Sequence, residues 1–180
     1  MKRHYRKNGM KNIGVRWNLL QEIRYKQENR YAYPVMYADG TVSRMKCDGI
    51  GREPLGVILE KHLITLTDSP TKMLWNEAMA YCRSIKVLGR ECNGGHIDFW
   101  KKIVDLTSNM RKRKALDSLL VGLGGEALGL EWRWSESEYY YLDAWIFSCV
   151  LSGFGLDVNL KSADYSGYYV RPVLDLSEVS

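Results

Sequence analysis

From Tyr31 to Val42 the chain alternates, with Tyr31, Tyr33, Val35 and Tyr37 on one side of an extended segment. Asp39-Gly40 then supplies a two-residue hairpin signal, so a strand pair is expected. After a polar stretch with Gly49, Gly51 and Pro54, Gly56 to Glu60 and His62 to Leu66 form two apolar, β-branched runs. These read as core strands. Asp68-Ser69-Pro70 offers a cap and a first-turn proline, and Leu74, Ala78, Tyr81, Cys82 and Ile85 then recur at helical spacing. That pattern predicts a helix from Thr71 to Val87. A second helical period runs through Ile97, Trp100, Val104 and Leu106, and a shorter third spans Arg111 to Leu120, stopped by Gly122, Gly124 and Gly125. From Trp132 the period returns to two: Trp145, Phe147 and Cys149 oppose Ile146, Ser148 and Val150, and Leu156, Val158 and Leu160 oppose Asp157, Asn159 and Lys161. Strands, then helices, then strands imply an α+β domain whose terminal strands share one antiparallel sheet.

Charge divides the chain where the pattern does not. Residues 1–30 hold nine Lys/Arg against two Glu, whereas the rest holds 17 basic and 19 acidic side chains. This gives a basic N-terminal arm, 1–30, ahead of a single domain, 31–180. The arm is read first as a solvated or docking segment, with a weak nucleic-acid contact as the alternative. No apolar h-region follows the N-terminal charges and no run long enough to cross a bilayer is present, so neither a signal peptide nor a membrane span is expected. A cytoplasmic or virion-associated protein is the corresponding expectation. The four cysteines, Cys47, Cys82, Cys92 and Cys149, then read as reduced thiols, three of them core-facing.

The candidate chemistry is sparse. Cys82, Cys92 and His96 concentrate soft donors, but their spacing does not suit a zinc knuckle, and no metal or other cofactor is expected. His96, near a helix start, reads as a capping or surface residue. Gly122 to Gly129 follows a helix instead of a strand and lacks a lysine at the phosphate-binding position, so it reads as a connector. Glu136 and Glu138 would share one face of a strand but have no histidine partner, and Ser135 and Ser137 have no base.

What stands out is aromatic. Half of the twelve tyrosines fall between Trp132 and Val173, interleaved with Ser, Asp, Asn and Gly. Binding surfaces use this composition to hold ligands without catalysis, because Tyr presents large area at low entropic cost. Tyr139, Tyr140 and Tyr141 are consecutive and cannot all face one side of a strand.

Trp134-Ser135, Ser137-Glu138-Tyr139, Ala144-Trp145, Phe147, Gly153, Lys161 and Tyr169 to Val173, in this order, resemble the C-terminal part of bacterial and phage C-type-lectin-fold proteins. The similarity is greatest to the variable proteins of diversity-generating retroelements, and Tyr37 to Thr41, Gly56 to Ile58 and Trp75 to Cys82 extend it over roughly residues 31 to 175. The resemblance implies a C-type lectin fold: antiparallel sheets, two main helices, a short third helix and a small second sheet that displays a binding face. It implies that Trp134, Trp145, Phe147, Gly153, Val170 and Arg171 are scaffold. The outward set would be Tyr140, Tyr141, Leu142, Ile146, Ser148, Phe154, Asp157, Asn159, Asp164, Tyr165 and Ser166, forming a diversified surface for a macromolecular ligand, a protein by preference. The tripeptides of the calcium-dependent sugar-binding lectins are missing, as is the cysteine pair of the formylglycine-generating enzymes that share the fold. A non-enzymatic receptor-recognition protein is therefore the first expectation, with an enzyme of the formylglycine-generating type, or a nucleic-acid-binding module acting through the basic arm, as alternatives.

Overall fold

A computed structural model describes residues 21–24, 27–149, 155–162 and 167–177. Residues 21–24 and 27–28 are helical. The body then runs β1 (Arg30–Tyr37), β2 (Val42–Met45), a 3-10 turn (Lys46–Gly49), β3 (Pro54–Leu59), β4 (His62–Thr65), α1 (Trp75–Ser84), β5 (Lys86–Val87), β6 (Arg90–Glu91), α2 (Ile97–Ser108), α3 (Met110–Gly122), β7 (Arg133–Glu138), β8 (Asp143–Phe147), β9 (Leu156–Leu160) and β10 (Val173–Asp175). The chain is α+β, and its sheets are antiparallel.

Five strands form one sheet in the order β10-β4-β3-β1-β2, and three form another in the order β7-β8-β9. The first and last strands do share a sheet, though β3 and β4 separate them. The β1–β2 connection is longer than its Asp-Gly signal suggested. Gly40 N donates to Tyr37 O at 2.9 Å, Tyr37 N donates to Thr41 O at 3.0 Å, and Gly40 takes φ 80°. This is a three-residue loop closed by a glycine bulge.

Both faces of the five-stranded sheet are covered. On one, Val35, Tyr37, Val57 and Ile64 pack with Trp100 and Ile103 of α2 and Leu116 and Leu120 of α3. On the other, Met36, Leu63 and Leu174 pack with Val87 and Cys92 of the β5–β6 hairpin. Trp100 also bridges to the second sheet: its ring stacks on Phe147 at 3.8 Å, and its indole N–H donates to Gly94 O at 2.8 Å. A third cluster joins Ala78, Met79 and Cys82 of α1 to Trp134, Ala144, Ile146 and Val170.

The first helix is shorter than the expected Thr71 to Val87, and Asp68-Ser69-Pro70 does not cap it. Residues 68–73 are tied instead to the C-terminal chain: Ser69 N donates to Val170 O at 2.8 Å and Met73 N to Tyr168 O at 3.1 Å. The helix begins only after this extended contact, with the Glu77 carboxylate accepting from Leu74 N at 3.0 Å. It ends at Ser84 because Ile85 O is taken by Cys92 N at 3.0 Å, which starts the next hairpin.

Candidate ligand-binding face

Tyr139 to Leu142 make the β7–β8 turn. Asp143 N donates to Tyr140 O at 3.1 Å, and Asp143 O accepts from Tyr139 N at 2.9 Å and Tyr140 N at 3.3 Å. A turn this tight forces its central side chains outward, so Tyr140 is 67% exposed, Tyr141 88% and Leu142 59%. Tyr139 packs edge-on against Tyr140 at 4.6 Å and against Trp145 at 5.2 Å. Exposed Leu160, at the end of β9, adds to the same apolar set.

Lys161 fastens the turn to its surroundings. Its ammonium donates to Tyr141 O at 3.0 Å, pairs with Glu138 at 2.9 Å and lies 4.7 Å over the Trp75 ring, while its backbone N–H donates to Leu142 O at 2.8 Å. Two of these contacts reach the turn itself, and the other two tie Lys161 to β7 and α1. An exposed aromatic projection is more characteristic of a contact surface than scattered surface apolar groups are.

The sequence expectation for β8 fails at two positions. Ile146 is 3% exposed, packed with Trp134, Val170 and α1, and Ser148 is fully buried, its hydroxyl donating to Leu130 O at 2.7 Å. Neither faces outward. β8 is the central strand of its sheet, with Trp100 of α2 against one face and α1 against the other, so both halves of its alternation point into packed protein. On the edge strand β9, Asp157 is exposed, while Asn159 is half-buried with its amide donating to the Tyr168 hydroxyl at 2.5 Å. Phe154, Asp164, Tyr165 and Ser166 lie outside the described residues, as does Gly153. The accessible candidates are therefore Tyr140, Tyr141, Leu142 and Asp157.

The scaffold set lies where expected for Trp134, Phe147, Val170 and Arg171, all buried, and half inside for Trp145. Trp134 donates from its indole to Met73 O at 2.9 Å. Arg171 is part of a buried ionic triad that the pattern did not reveal. Asp68 accepts from Arg133 through both oxygens, at 2.8 and 2.6 Å, and from Arg171 Nε at 2.6 Å. Arg171 also donates to Leu66 O at 2.6 Å and Thr65 O at 3.1 Å, and Arg133 to Glu131 O at 2.8 Å. Burial alone would raise the Asp68 carboxyl; Arg133 and Arg171 outweigh it and hold Asp68 below the usual carboxylate range. The signal available in sequence was Arg133 between Trp132 and Trp134, a cation inside an apolar strand that needs a buried counter-charge.

Ser135, Ser137 and His96 have structural partners. His96 caps α2, its Nδ1 accepting from Asp98 N at 3.2 Å. Burial pushes the Cys82 thiol up and the Cys92 thiol up to about 11, and it also raises Cys149. Only Cys47 among the four is exposed. Among the described residues no three His, Cys, Asp or Glu side chains gather in a way that could hold a metal ion, and no helix is long and apolar enough to cross a membrane. No protein-family model matches the chain, and no curated protein matches its sequence.

Proposed function

We propose that this is a non-enzymatic ligand-binding protein that recognises a macromolecule, by preference a protein, through the aromatic tip of its second sheet. The observation that carries the reading is the turn Tyr140 to Leu142: three large side chains, all exposed, on a backbone bolted by Lys161. Rigid Tyr anchors contribute to binding without paying much ordering entropy, which is the usual economy of a recognition surface. The raised thiols of Cys82, Cys92 and Cys149 are poor nucleophiles, which disfavours thiol chemistry at these three residues.

The resemblance to the C-type-lectin-fold variable proteins belongs to the same proposal. It is supported by a sheet holding both the first and last strands, by two helices that each pack on the second sheet, and by a small hairpin-built sheet that projects the tip. If the final coding segment is diversified, the changes are expected at Tyr140, Tyr141, Leu142 and Asp157, with Ile146 and Ser148 kept. A reverse transcriptase gene beside a near-copy of this segment, differing at adenines, is the genomic arrangement expected.

The direct test is panning a random-peptide display library against the purified protein and against a Tyr140→Ala/Tyr141→Ala/Leu142→Ala variant. Peptides enriched on the wild type should lose binding to the variant while its melting temperature stays within a few degrees. Enriched peptides that bind both equally would falsify the assignment of the tip.

A further inference from the structure

Glu136 and Glu138 share β7 but not their circumstances. Glu138 is neutralised by Lys161. The half-buried Glu136 carboxylate has no hydrogen-bond or ion-pair partner among the described residues. It lines a cleft of about 270 Å³ whose other walls are Trp75, Met79 and Arg83 of α1 together with Asn93 and Gly94. Several polar groups around it are bonded elsewhere. Trp75 Nε1 donates to Ser135 O at 2.8 Å, the Ser135 hydroxyl donates to Gly95 O at 2.7 Å, and Asn93 Oδ1 accepts from Gly95 N at 2.9 Å.

We infer that this cleft is a second binding site, for a cationic group of the amine or guanidine class, with Glu136 as its counter-charge and Trp75 as its aromatic wall. A half-buried carboxylate without a partner is less well solvated than an exposed one, and a bound cation offsets that loss. Burial pushes the Glu136 carboxyl above its usual range; His96 opposes the rise and Asp175 adds to it. The Trp75 ring already attracts one cation, the Lys161 ammonium. Methionine and tryptophan walls suit the methylene stem behind such a cation. Exposed Arg83 at the rim disfavours a bare cation and sets the sign of a second test.

The inference does not depend on the tip, and the experiment keeps the two apart. The Trp75 indole resonance is followed by NMR during titration with n-butylammonium and n-butylguanidinium, with n-pentanol and butyrate as controls. Saturable shifts at millimolar concentration are expected with the cations alone. Glu136→Gln should weaken binding at least ~10-fold, since a charge-assisted contact is lost. Arg83→Ala should strengthen it. The Tyr140→Ala/Tyr141→Ala/Leu142→Ala variant should bind as the wild type does. An end-blocked tripeptide with central lysine, beside its norleucine counterpart, separates the sources: tighter binding than n-butylammonium indicates a protein side chain, and binding of the free amine alone indicates a small metabolite-like amine.

Should Glu136→Gln not fold, the wild-type Glu136 carboxyl is titrated by carbon NMR with and without saturating n-butylammonium. His96, Arg83 and Asp175 are the other ionisable groups around it, so the His96 and Asp175 resonances are followed in the same spectra. A bound cation favours the ionised form and must lower the Glu136 midpoint. An unmoved midpoint, an unsaturable wild-type response, or undiminished binding by a folded Glu136→Gln protein overturns the inference.

Discussion

Replacing Asp68 by Asn tests how the two sheets and the C-terminal strand are held together. The substitution keeps the shape and deletes the negative charge that, among the described residues, pairs with two buried guanidiniums, Arg133 at 1% exposure and Arg171 at 0%. Removing one partner of a buried ion pair costs about 3–5 kcal/mol, because the other charge stays buried and unpaired. Here two such charges remain, which argues for the upper part of that range; the carbonyls of Thr65, Leu66 and Glu131 still receive their donors, which argues against anything larger. A chain of this size loses roughly 2–4 °C of melting temperature per kcal/mol, so a fall of about 6–20 °C is expected. Urea unfolding followed by tryptophan fluorescence gives the free energy directly. The pH dependence has a fixed sign. Since the folded Asp68 carboxyl is lowered from its usual value, its contribution is fully present above the unfolded value near ~4 and is lost as the pH falls through the lower folded value. Asp68→Asn should therefore flatten the acid limb of the stability curve. Replacing Arg133 by Met in the Asp68→Asn background should recover part of the loss by removing one orphaned charge. A loss below about 1 kcal/mol, the value of an exposed ion pair, would refute the reasoning.

Ile146→Asn places an unsatisfied amide between Trp134 and α1 and should cost about 2–4 kcal/mol, whereas Tyr141→Ala should stay within ~0.5 kcal/mol of the wild type; thermal melts of both variants check the pair. Gly56→Ala would bring a Cβ within 2.1 Å of Ile64 O on the neighbouring strand and should destabilise by about 1–3 kcal/mol or prevent folding, read from the urea midpoint. Iodoacetamide at pH 8 should modify Cys47 first in the native protein, with Cys82, Cys92 and Cys149 reacting only on unfolding; peptide mass mapping that finds Cys82 alkylated early would contradict the burial that raises its thiol.

Periodicity carried the elements well where one face met water. The first half of β1, where exposed Arg30 and Ala32 alternate with half-buried Tyr31 and Tyr33, and the Leu116, Leu119 and Leu120 stripe of α3 are half-solvated patterns, and both formed with the expected side inward. His96 was legible as a cap because helix N-termini leave unsatisfied N–H groups and few residue types can accept from them. The start of α1 was not legible. Asp68-Ser69-Pro70 is locally a cap, but a pairing about a hundred residues away claims it: Arg171 takes the Asp68 carboxylate, and Val170 N donates to the Ser69 hydroxyl at 3.1 Å. A local motif carries no information about such a competitor.

The candidate face shows the same limit more sharply. Alternation along β8 says that Ile146 and Ser148 oppose Trp145 and Phe147, and that is so; it does not say that only one of the two sides is packed. A central strand between α1 and α2 is dry on both faces, so Ser148 must be satisfied by Leu130 O and cannot be offered to a ligand. Exposure on this sheet is consequently not a property of a face at all. It belongs to the places where pairing ends: the turn Tyr140 to Leu142 and the free edge of β9 with Asp157. A tip on a strand pair whose roots are packed on both sides can change its side chains with little effect on the core. That property is what a replaceable recognition surface requires, and the three consecutive tyrosines stood at it because a turn is where a strand stops having an inside.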